Sequence, residues 1–425
     1  MITAGIIAEY NPFHKGHQYH IEETRRKTMA DYIVIVMSGD YVQRGEPAIV
    51  SKYFRTKLAL EGGADLVLEL PVHYATASAE YFAAAGVTLL HKLGCVDFLS
   101  FGSEWAKKED FEPVADILLR EPEAYKEHLR AALRKGKNFA AARYGALRQL
   151  LPDERQSELL LHPNHILGLE YIKAIRRLNS PICPVIVKRK GGGYHDISMR
   201  NSFPSASAVR RAMEEYKKER RKERDIAGLE DAVGQSGSEL YGEYVSGNTV
   251  SWHDLIPYLD YRCLMQKEQL AKCFDVSQEM VSSLLRDYRP GSTIDKLVER
   301  CHGRNRTDAA IRRGLLHIVL GLKKESFLED ASAVEIPYAR VLGFSGKAAP
   351  LMKRIRERGE ICLLQKPVQG RKLCTISPIF RTLFEADVRC AELYEQISAK
   401  KSERKPLSEW RRQQIIKEEG KTKNF

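Results

Sequence analysis

Two histidines and a glycine near the start of the chain have the types and spacing that suit phosphate chemistry. His14 and His17 flank Lys15-Gly16 in the stretch EYNPFHKGHQYH. Glycine lets the backbone come close to a ligand, and an imidazole can donate a hydrogen bond to a phosphate oxygen. Because phosphoryl and nucleotidyl transfer are catalysed largely by positioning and charge stabilisation, the two histidines need no covalent role.

The position of this motif favours a ligand site over a simple helix cap. The apolar run ITAGIIA before it predicts a buried strand, and HQYHIEETRRKT after it predicts a helix. Open α/β sheets bind ligands at the carboxyl ends of their strands, and a helix start offers free N–H groups to phosphate. An isolated H-x-G-H also fits a helix cap or a metal site, but at this position it indicates a nucleotide site.

A serine-rich turn much later in the chain supplies a second group of this kind. In PSASAVRR, Ser205 and Ser207 stand at a predicted helix start, and Arg210 follows within the first turn. Serine hydroxyls and helix N–H groups can hold terminal phosphates while the guanidinium spreads their charge. An ordinary serine N-cap on a basic helix is the alternative. The pairing with the histidine motif favours the phosphate interpretation.

Polar residues also follow the second predicted strand, YIVIVM, in the segment MSGDYVQRGEPAIVSK. This segment begins at the carboxyl end of a strand, so we expect it near the same cleft. The candidates for a substrate-binding loop are Gln43, Arg44, Glu46 and Lys52, the last of which opens the next helix. Taken alone, a lysine at a helix start is more simply a solvated side chain.

Alternating strands and helices must position these groups. After ITAGIIA and YIVIVM come DLVLEL, VDFLSF and PVIVKR, separated by helical segments, and this pattern predicts a parallel sheet covered by helices. We expect an α/β domain over residues 1–225 with a helical insertion at about 109–178. A glycine- and serine-rich linker at 226–250 precedes a mostly helical region at 251–425 with few strand signals.

Composition sets the broad class of protein. The 425 residues have a formal net charge of +12, which suits a polyanionic partner such as nucleic acid, although a merely basic protein is equally compatible. Eight cysteines occur without a C-x-x-C pair, so neither a zinc ribbon nor a disulfide framework is indicated. We see no signal peptide and no apolar run of ~18 residues, and therefore expect a cytoplasmic protein without membrane contact.

Longer motifs resemble one family closely. GIIAEYNPFHKGH, MSGDYVQRGEPA, GGADLVLELP, SAEYFA, FGSE, HPNHILGLEYIKAI and FPSASAVR occur in this order, followed more loosely by IPYARVLGF. Together they resemble the tRNA(Met) cytidine acetate ligase family of the nucleotidyltransferase superfamily. The resemblance implies a Rossmann-like nucleotidyltransferase domain that binds ATP, and a helical C-terminal region that binds tRNA.

The resemblance also implies an activity. Such a ligase uses ATP to activate acetate as acetyl-adenylate and releases pyrophosphate. It then transfers the acetyl group to N4 of the wobble cytidine, C34, in the anticodon loop of elongator tRNA(Met), giving N4-acetylcytidine. The sequence offers no cluster of metal-binding carboxylates, so we expect Mg²⁺ to arrive with the phosphates of ATP. The oligomeric state is left open.

The resemblance also implies roles for individual residues. His14 and His17 are the expected catalytic residues. The expected ATP-binding set joins the first-strand loop to Gly102 of F-G-S-E, to Asn164, to a basic pair after the late strand and to the serine-rich turn. Its members are Ile7, Ala8, Glu9, Tyr10, Asn11, Pro12, Phe13, His14, Lys15, Gly16, His17, His20, Gly102, Asn164, Arg189, Lys190, Ser205, Ser207 and Arg210.

Two basic segments are candidates for the tRNA surface, since proteins hold RNA loops by stacking and by basic contacts. The first continues from Arg210 and contains Arg211, Lys217, Lys218, Arg220, Arg221 and Lys222. Its interleaved glutamates also fit a solvated helix with i,i+4 pairs. The second, HGRNRTDAAIRRG, is more purely basic and is favoured; it contains Arg304, Arg306, Arg312 and Arg313.

Two other functions share some of these features. An adenylyltransferase that makes a small cofactor from ATP would have the same histidine and serine motifs, but it leaves the large basic helical region unexplained. A non-enzymatic RNA-binding protein on an inactive nucleotidyltransferase scaffold would explain that region. The intact His14, Gly16, His17 and Arg210 disfavour it.

Overall fold

The computed structural model describes residues 1–105, 107–151, 153–190, 205–219, 239, 242–243, 246–303, 306–327, 331, 334–418 and 421–424, with side chains except those of 214–219 and 421–424. Its strands are β1 (Thr3–Ala8), β2 (Tyr32–Ser38), β3 (Tyr41–Val42), β4 (Glu46–Pro47), β5 (Leu66–Leu70), β6 (Phe98–Ser103), β7 (Cys183–Lys188), β8 (Tyr338–Ser345), β9 (Cys362–Leu364), β10 (Ile415–Glu418) and β11 (Lys421–Asn424).

Helices fill most of the remaining chain. The first ten are α1 (Lys15–Thr28), α2 (Lys52–Glu61), α3 (Val72–Ala75), α4 (Ala79–Lys92), α5 (Lys108–Arg120), α6 (Glu123–Arg134), α7 (Phe139–Arg148), α8 (Glu154–Ser157), α9 (Pro163–Arg177) and α10 (Ala206–Glu219). The later ones are α11 (Trp252–Met265), α12 (Lys267–Leu270), α13 (Gln278–Leu285), α14 (Ile294–Cys301), α15 (Asp308–Leu320), α16 (Ala349–Arg358), α17 (Pro367–Leu373) and α18 (Pro378–Lys401).

One large sheet organises the molecule, in the strand order β11-β10-β8-β5-β2-β1-β6-β7, with β9 paired to β8. The pairs β5–β2, β2–β1, β1–β6 and β6–β7 are all parallel. Strand order reverses at β1, because β2 lies on one side of it and β6 on the other. The crevice beyond the carboxyl ends of β1 and β6 is therefore the switch point at which such sheets bind ligands.

Alternate side chains of the central strands pack on opposite faces of the sheet. On one face Leu99 of β6 lies in a core with Leu90 of α4 and Ile172 of α9. On the other face Ile6 of β1 lies in a core with Leu58 of α2. Burial on both faces explains why these strands are continuous apolar runs in the sequence.

Helices α5 to α9 occupy the stretch between β6 and β7, where a helical insertion was expected. Helices α11 to α15 share a separate apolar core that includes Leu259, Leu284 and Leu315. The predicted linker at 226–250 lies largely outside the described residues.

The C-terminal part departs from the expectation of few strands. β8 pairs antiparallel with β5, and β10 pairs parallel with β8. Strands from beyond residue 337 thus extend the sheet that the N-terminal strands begin. The sequence YARVLGFS is short and flanked by helical patterns, so periodicity alone does not distinguish this strand from a buried helix segment.

Candidate active site

The histidine motif forms the N-terminus of α1 at the switch point. His14 is the N-cap residue, and its Nδ1 accepts a hydrogen bond from the Gly16 N–H at 3.0 Å. The Nδ1 of His17 accepts one from the His14 N–H at 3.3 Å, and the two rings stack with their centroids 3.7 Å apart. Since both Nδ1 atoms accept, each neutral imidazole carries its proton on Nε2. The pair therefore offers two N–H donors beside the positive end of a helix dipole.

These imidazoles are neutral near pH 7. Burial, with the charges of Arg189 and Arg210, lowers the pKa of His14 to about 3. Burial also lowers the pKa of His17 well below its ordinary value, assisted by His14 and Arg189. A neutral Nε2–H still donates a hydrogen bond, so the site can bind phosphate without first taking up a proton.

Gly16 lies so close to the His14 ring that this position requires glycine. A Cβ on Gly16 would lie 2.9 Å from Cε1 of His14, so any side chain there would displace the ring. Tyr10 and Phe13 are buried and pack edge-to-face, with Tyr10 also 4.7 Å from the His17 ring. The peptide bond between Asn11 and Pro12 is cis. The aromatic residues of the motif thus support the loop from beneath, and the histidines face the cleft.

The cleft beside the cap collects eight of the nineteen residues that the resemblance assigned to ATP. Its lining consists of His14, Gly16, His17, Tyr19, His20, Gly102, Val187, Arg189, Lys190 and Ser205. Lys190 Nζ lies 4.4 Å from the centre of the Tyr19 ring. His20 is tied to the sheet, because its Nε2 is 3.0 Å from Ser100 Oγ. Ile7 and Ala8 end β1 beneath the cleft, and Lys15 begins α1 at its rim.

Glu104, which we did not single out from the sequence, organises the far side of the cleft. Its Oε1 accepts a hydrogen bond from Asn164 Nδ2 at 2.5 Å and lies 3.6 Å from Arg189 Nε. Its Oε2 lies 3.0 Å from His165 Nε2. The F-G-S-E motif contains this glutamate, but only the fold joins it to Asn164 and Arg189.

The serine-rich turn reaches the histidine loop from α10. Ser205 Oγ accepts a hydrogen bond from the Ala208 N–H at 3.1 Å and so caps this helix. Arg210 donates through Nη1 to the carbonyl of Asn11 at 2.6 Å, and its Nη2 lies 3.4 Å from Ser207 Oγ. Both motifs predicted to hold phosphate therefore lie in one continuous group.

The hairpin of β3 and β4 completes this group. Arg44 Nη1 donates to Ser207 Oγ at 3.3 Å, and Glu46 lies 3.3 Å from Arg210 Nη2. The backbone N–H of Gln43 donates to Glu9 Oε1 at 2.9 Å. The polar loop residues of QRGE thus lie beside the cleft, as their place after β2 indicated.

Lys52 does not belong to that loop, which corrects its selection as a substrate contact. Its side chain is fully buried, with Nζ 2.7 Å from Glu69 Oε1 and 2.6 Å from Glu409 Oε1. Arg340 lies in the same cluster, 2.6 Å from Glu409. A buried lysine needs charge partners, and here they are Glu69 of β5 and Glu409 of the C-terminal turn, which local sequence cannot show.

The favoured basic segment lies against the active-site hairpin. Gly45 has φ of +75°, and a Cβ there would lie 2.3 Å from the backbone N of Arg313. Arg306, Arg312 and Arg313 each pair with an acid, namely Glu279 at 2.9 Å, Asp295 at 2.6 Å and Asp275 at 3.1 Å. These arginines are close to the site, but a neighbouring carboxylate already compensates the charge of each one.

The other basic candidates are only partly described. Arg211 is exposed on α10. Lys217 and Lys218 belong to the same helix, and their side chains lie outside the description. Arg220, Arg221, Lys222 and Arg304 fall outside the described residues.

Neither a metal cluster nor a membrane-spanning helix occurs in the described part of the chain. Among these residues no group of three or more His, Cys, Asp and Glu side chains could hold a metal ion. In the same part of the chain no helix has the length and apolar character needed to cross a membrane.

Comparison with known proteins gives consistent matches. The family model for HIGH nucleotidyl transferases matches residues 1–409. A tRNA(Met) cytidine acetate ligase of Caldanaerobacter subterraneus is 38% identical over 391 residues, covering 91% of this chain and 94% of that protein. A protein of the same name from Acetivibrio thermocellus is 35% identical over 403 residues, covering 93% of this chain and 94% of that protein.

A solved structure agrees along nearly the whole chain. The crystal structure of Thermotoga maritima TmcAL bound with α-thio ATP matches with a TM-score of 0.87 and 28% identity, covering 98% of this chain and 100% of that one. Fold, cleft and family model define a nucleotidyltransferase of the H-x-G-H type. Within that class, the chain belongs to the tRNA(Met) cytidine acetate ligase family. The predicted fold class and the resemblance are confirmed.

Proposed function

We propose that this protein is an ATP-dependent ligase that activates acetate as acetyl-adenylate and acetylates N4 of C34 in elongator tRNA(Met). The observation that carries the proposal is the paired Nε2–H donors of His14 and His17 at the start of α1, in one cleft with Arg189 and Ser205. The long motifs shared with the acetate ligases support the choice of acceptor and acyl group.

In the first step an acetate oxygen attacks the α-phosphorus of ATP, opposite the leaving pyrophosphate. Negative charge grows on the α-phosphoryl oxygens and on the leaving oxygen. The two imidazole donors and the N-terminus of α1 stabilise the charge on the α-phosphoryl group. Arg210 and the serine turn hold the terminal phosphates. Mg²⁺ would enter with ATP on its phosphates, since the described residues contain no carboxylate cluster that would hold it separately.

In the second step the exocyclic amine of C34 attacks the acetyl carbonyl, and AMP leaves. The acyl phosphate is already reactive, so no enzyme nucleophile is needed. The hairpin β3–β4 lies between the cleft and α15, and its contact with Arg312 and Arg313 of α15 supports a role for the basic segment in tRNA binding. We assign recognition of the anticodon loop to this side of the molecule, in a cytoplasmic enzyme that encounters free tRNA.

Mass spectrometry of nucleosides tests this function. Unmodified elongator tRNA(Met) incubated with the protein, ATP and ¹³C-acetate should yield labelled N4-acetylcytidine. Removing either ATP or acetate should abolish the product. The double variant His14→Ala/His17→Ala should lose acetylation by at least about 100-fold, because one oxyanion donor alone is worth about that factor, while tRNA binding survives. Full activity of this variant would refute the site.

The same reaction mixtures separate the two rivals. A cofactor adenylyltransferase would release pyrophosphate with a small substrate and leave tRNA unlabelled. An inactive RNA-binding scaffold would bind tRNA but show no ATP binding in calorimetry.

A further inference from the structure

We propose that Glu9 is the general base of the transfer step and takes the proton from the N4 amine of cytidine as it attacks the acetyl group. The inference rests on the proposed function and adds a residue role to it. Glu9 belongs to the first-strand loop that the resemblance assigned to ATP. A carboxylate repels phosphate, so the role of Glu9 differs from that of the two phosphate-holding motifs beside it.

Glu9 follows the last residue of β1 and points toward the group formed by the hairpin and α10. Its Oε1 accepts a hydrogen bond from the Gln43 N–H at 2.9 Å, which fixes the carboxyl group. Its Oε2 lies 3.9 Å from Arg44 Nε, a long ion pair. The Glu9 side chain keeps 22% of its surface exposed, so it is not sealed in the interior.

The backbone of Glu9 is held as firmly as its side chain. Arg55, which is fully buried, donates through Nη1 to the Glu9 carbonyl at 2.6 Å and to the Ser38 carbonyl at 3.0 Å. The guanidinium thus ties the ends of β1 and β2 together. A group that must meet a substrate proton benefits from such pre-organisation.

The chemistry of the acceptor requires a base. The lone pair of the cytosine amine is delocalised into the ring, so the amine is a weak nucleophile. In the transfer step the N4–C bond forms, the bond between the acetyl carbon and the phosphate oxygen breaks, and AMP leaves with that electron pair. One amine proton must go to an acceptor, which is the Glu9 carboxylate; it later passes to solvent. Such general-base assistance contributes about 100- to 10,000-fold.

The other carboxylates near the site are less suitable. Glu104 holds Asn164 and His165, and these hydrogen bonds outweigh burial and lower its pKa to about 2, so it is a weak base. Glu46 is engaged by Arg210 at 3.3 Å. Asp40 accepts the Lys52 N–H at 2.7 Å and keeps only 5% of its side chain exposed, so it faces the interior.

The surroundings of Glu9 also shift the pKa of its carboxyl group. Burial is the largest influence and raises the pKa of Glu9, and the negative charge of Glu46 raises it further. The charges of Arg44 and Arg210 and the hydrogen bond from the Gln43 N–H lower this pKa, but by less. Tyr171 of α9 and the Arg55 guanidinium are the other ionisable groups near it. A carboxylate with a raised pKa is a stronger base, and it is deprotonated only above that pKa. Transfer should therefore rise with pH through a value above the usual glutamate range.

Two assays on the full-length protein separate the two steps. Acetate-dependent exchange of ³²P-pyrophosphate into ATP reports activation alone. Single-turnover transfer of ¹⁴C-acetate to an unmodified elongator tRNA(Met) transcript reports both steps. For Glu9→Gln, the ratio of transfer to exchange should fall by at least about 100-fold, and the acidic limb of the transfer rate against pH should disappear. Asp116→Asn removes a carboxylate from the helical insertion, where Asp116 pairs with Arg176 at 2.5 Å, and should change the ratio by less than about 10-fold.

Further variants keep the test decisive. Glu9→Asp retains a carboxylate one methylene shorter, so transfer should be reduced and the acidic limb retained. This variant decides the matter if Glu9→Gln unfolds. Parallel loss of exchange and transfer in Glu9→Gln would overturn the proposal and leave Glu9 an ATP-site residue. Selective loss of transfer in Asp40→Asn, but not in Glu9→Gln, would also overturn it. Absence of exchange in the unmodified protein would instead refute acetate activation.

Discussion

Replacement of Glu104 by glutamine tests how the cleft is held in shape. Glu104 is the shared partner of Asn164, His165 and Arg189. Glutamine has nearly the same size and keeps one carbonyl oxygen for Asn164. Its amide nitrogen would then lie beside His165 Nε2, which is also 3.0 Å from Ser103 Oγ, and Arg189 would lose its carboxylate. We expect loss of stability and of ATP affinity together.

The magnitude follows from the ionisation of Glu104. Burial alone would raise its pKa, but hydrogen bonds from His165 and Asn164 and the charge of Arg189 lower it from 4.5 to about 2. At ~1.4 kcal/mol per pH unit, this depression corresponds to about 3 kcal/mol in favour of the folded state. Because the side chain is 21% exposed, solvent screening makes about 2–3 kcal/mol the realistic loss for Glu104→Gln.

The sign of the pH dependence is fixed by the direction of this shift. A carboxyl group with a depressed pKa stabilises the fold fully above its ordinary pKa, and that contribution is lost as pH falls toward the folded-state value. The stability difference between the unmodified protein and Glu104→Gln should be constant at neutral pH. It should shrink between pH 4.5 and about 2.

Urea unfolding at several pH values measures the stability difference, and calorimetry measures ATP binding. If the contact with Glu104 orients Arg189, the Kd for ATP should rise at least about 10-fold, the equivalent of one charged hydrogen bond. Asp116→Asn is a suitable control, because Asp116 pairs with Arg176 at 2.5 Å in the helical insertion. Unchanged urea midpoints and an unchanged Kd in Glu104→Gln would refute the reasoning.

Three further predictions concern the parts around the cleft. Lys52→Met should destabilise the fold by about 3–5 kcal/mol, seen in thermal unfolding, because it leaves Glu69 and Glu409 with Arg340 as their remaining cation in this cluster. Gly45→Ala should cost at least ~1 kcal/mol from its left-handed φ and reduce tRNA acetylation more than pyrophosphate exchange, since the added Cβ collides with α15. Replacing Arg306, Arg312 and Arg313 with glutamine should weaken tRNA binding. The slope of log K against log salt should then fall by about 0.7–0.9 for each phosphate that the protein no longer neutralises.

Local patterns in the sequence predict the centre of this molecule well. The strand–loop–helix at residues 3–28 has an apolar run, a glycine and an amphipathic helix, and each signal depends only on neighbours in sequence. The place of the hairpin residues follows from the rule that parallel strands end at one edge of a sheet. Those features were predicted because one short segment encodes each of them.

Features built from distant segments could not be predicted in this way. Lys52 is a helix-start lysine by sequence, yet Glu409, 357 positions later, neutralises it inside the protein. Glu104 meets Asn164 only because the helical insertion folds back onto the end of β6. β8 joins the sheet beside β5 although more than 260 residues separate the paired segments. The periodicity and the motifs of a single sequence carry no information about such contacts between distant segments.

The hairpin β3–β4 explains how one chain can couple a nucleotide site to an RNA substrate. On one side its Gln43 and Arg44 contact Glu9 and Ser207. On the other side the Trp252 Nε1–H donates to the Gly45 carbonyl at 2.8 Å, and α15 lies against Gly45. A displacement of the helical region would therefore move the residues beside the proposed base. Because the contacts on the Gly45 side are to backbone atoms, they constrain the position of the hairpin independently of the arginine charges. Gly45→Ala and the arginine variants should therefore affect the reaction in different ways.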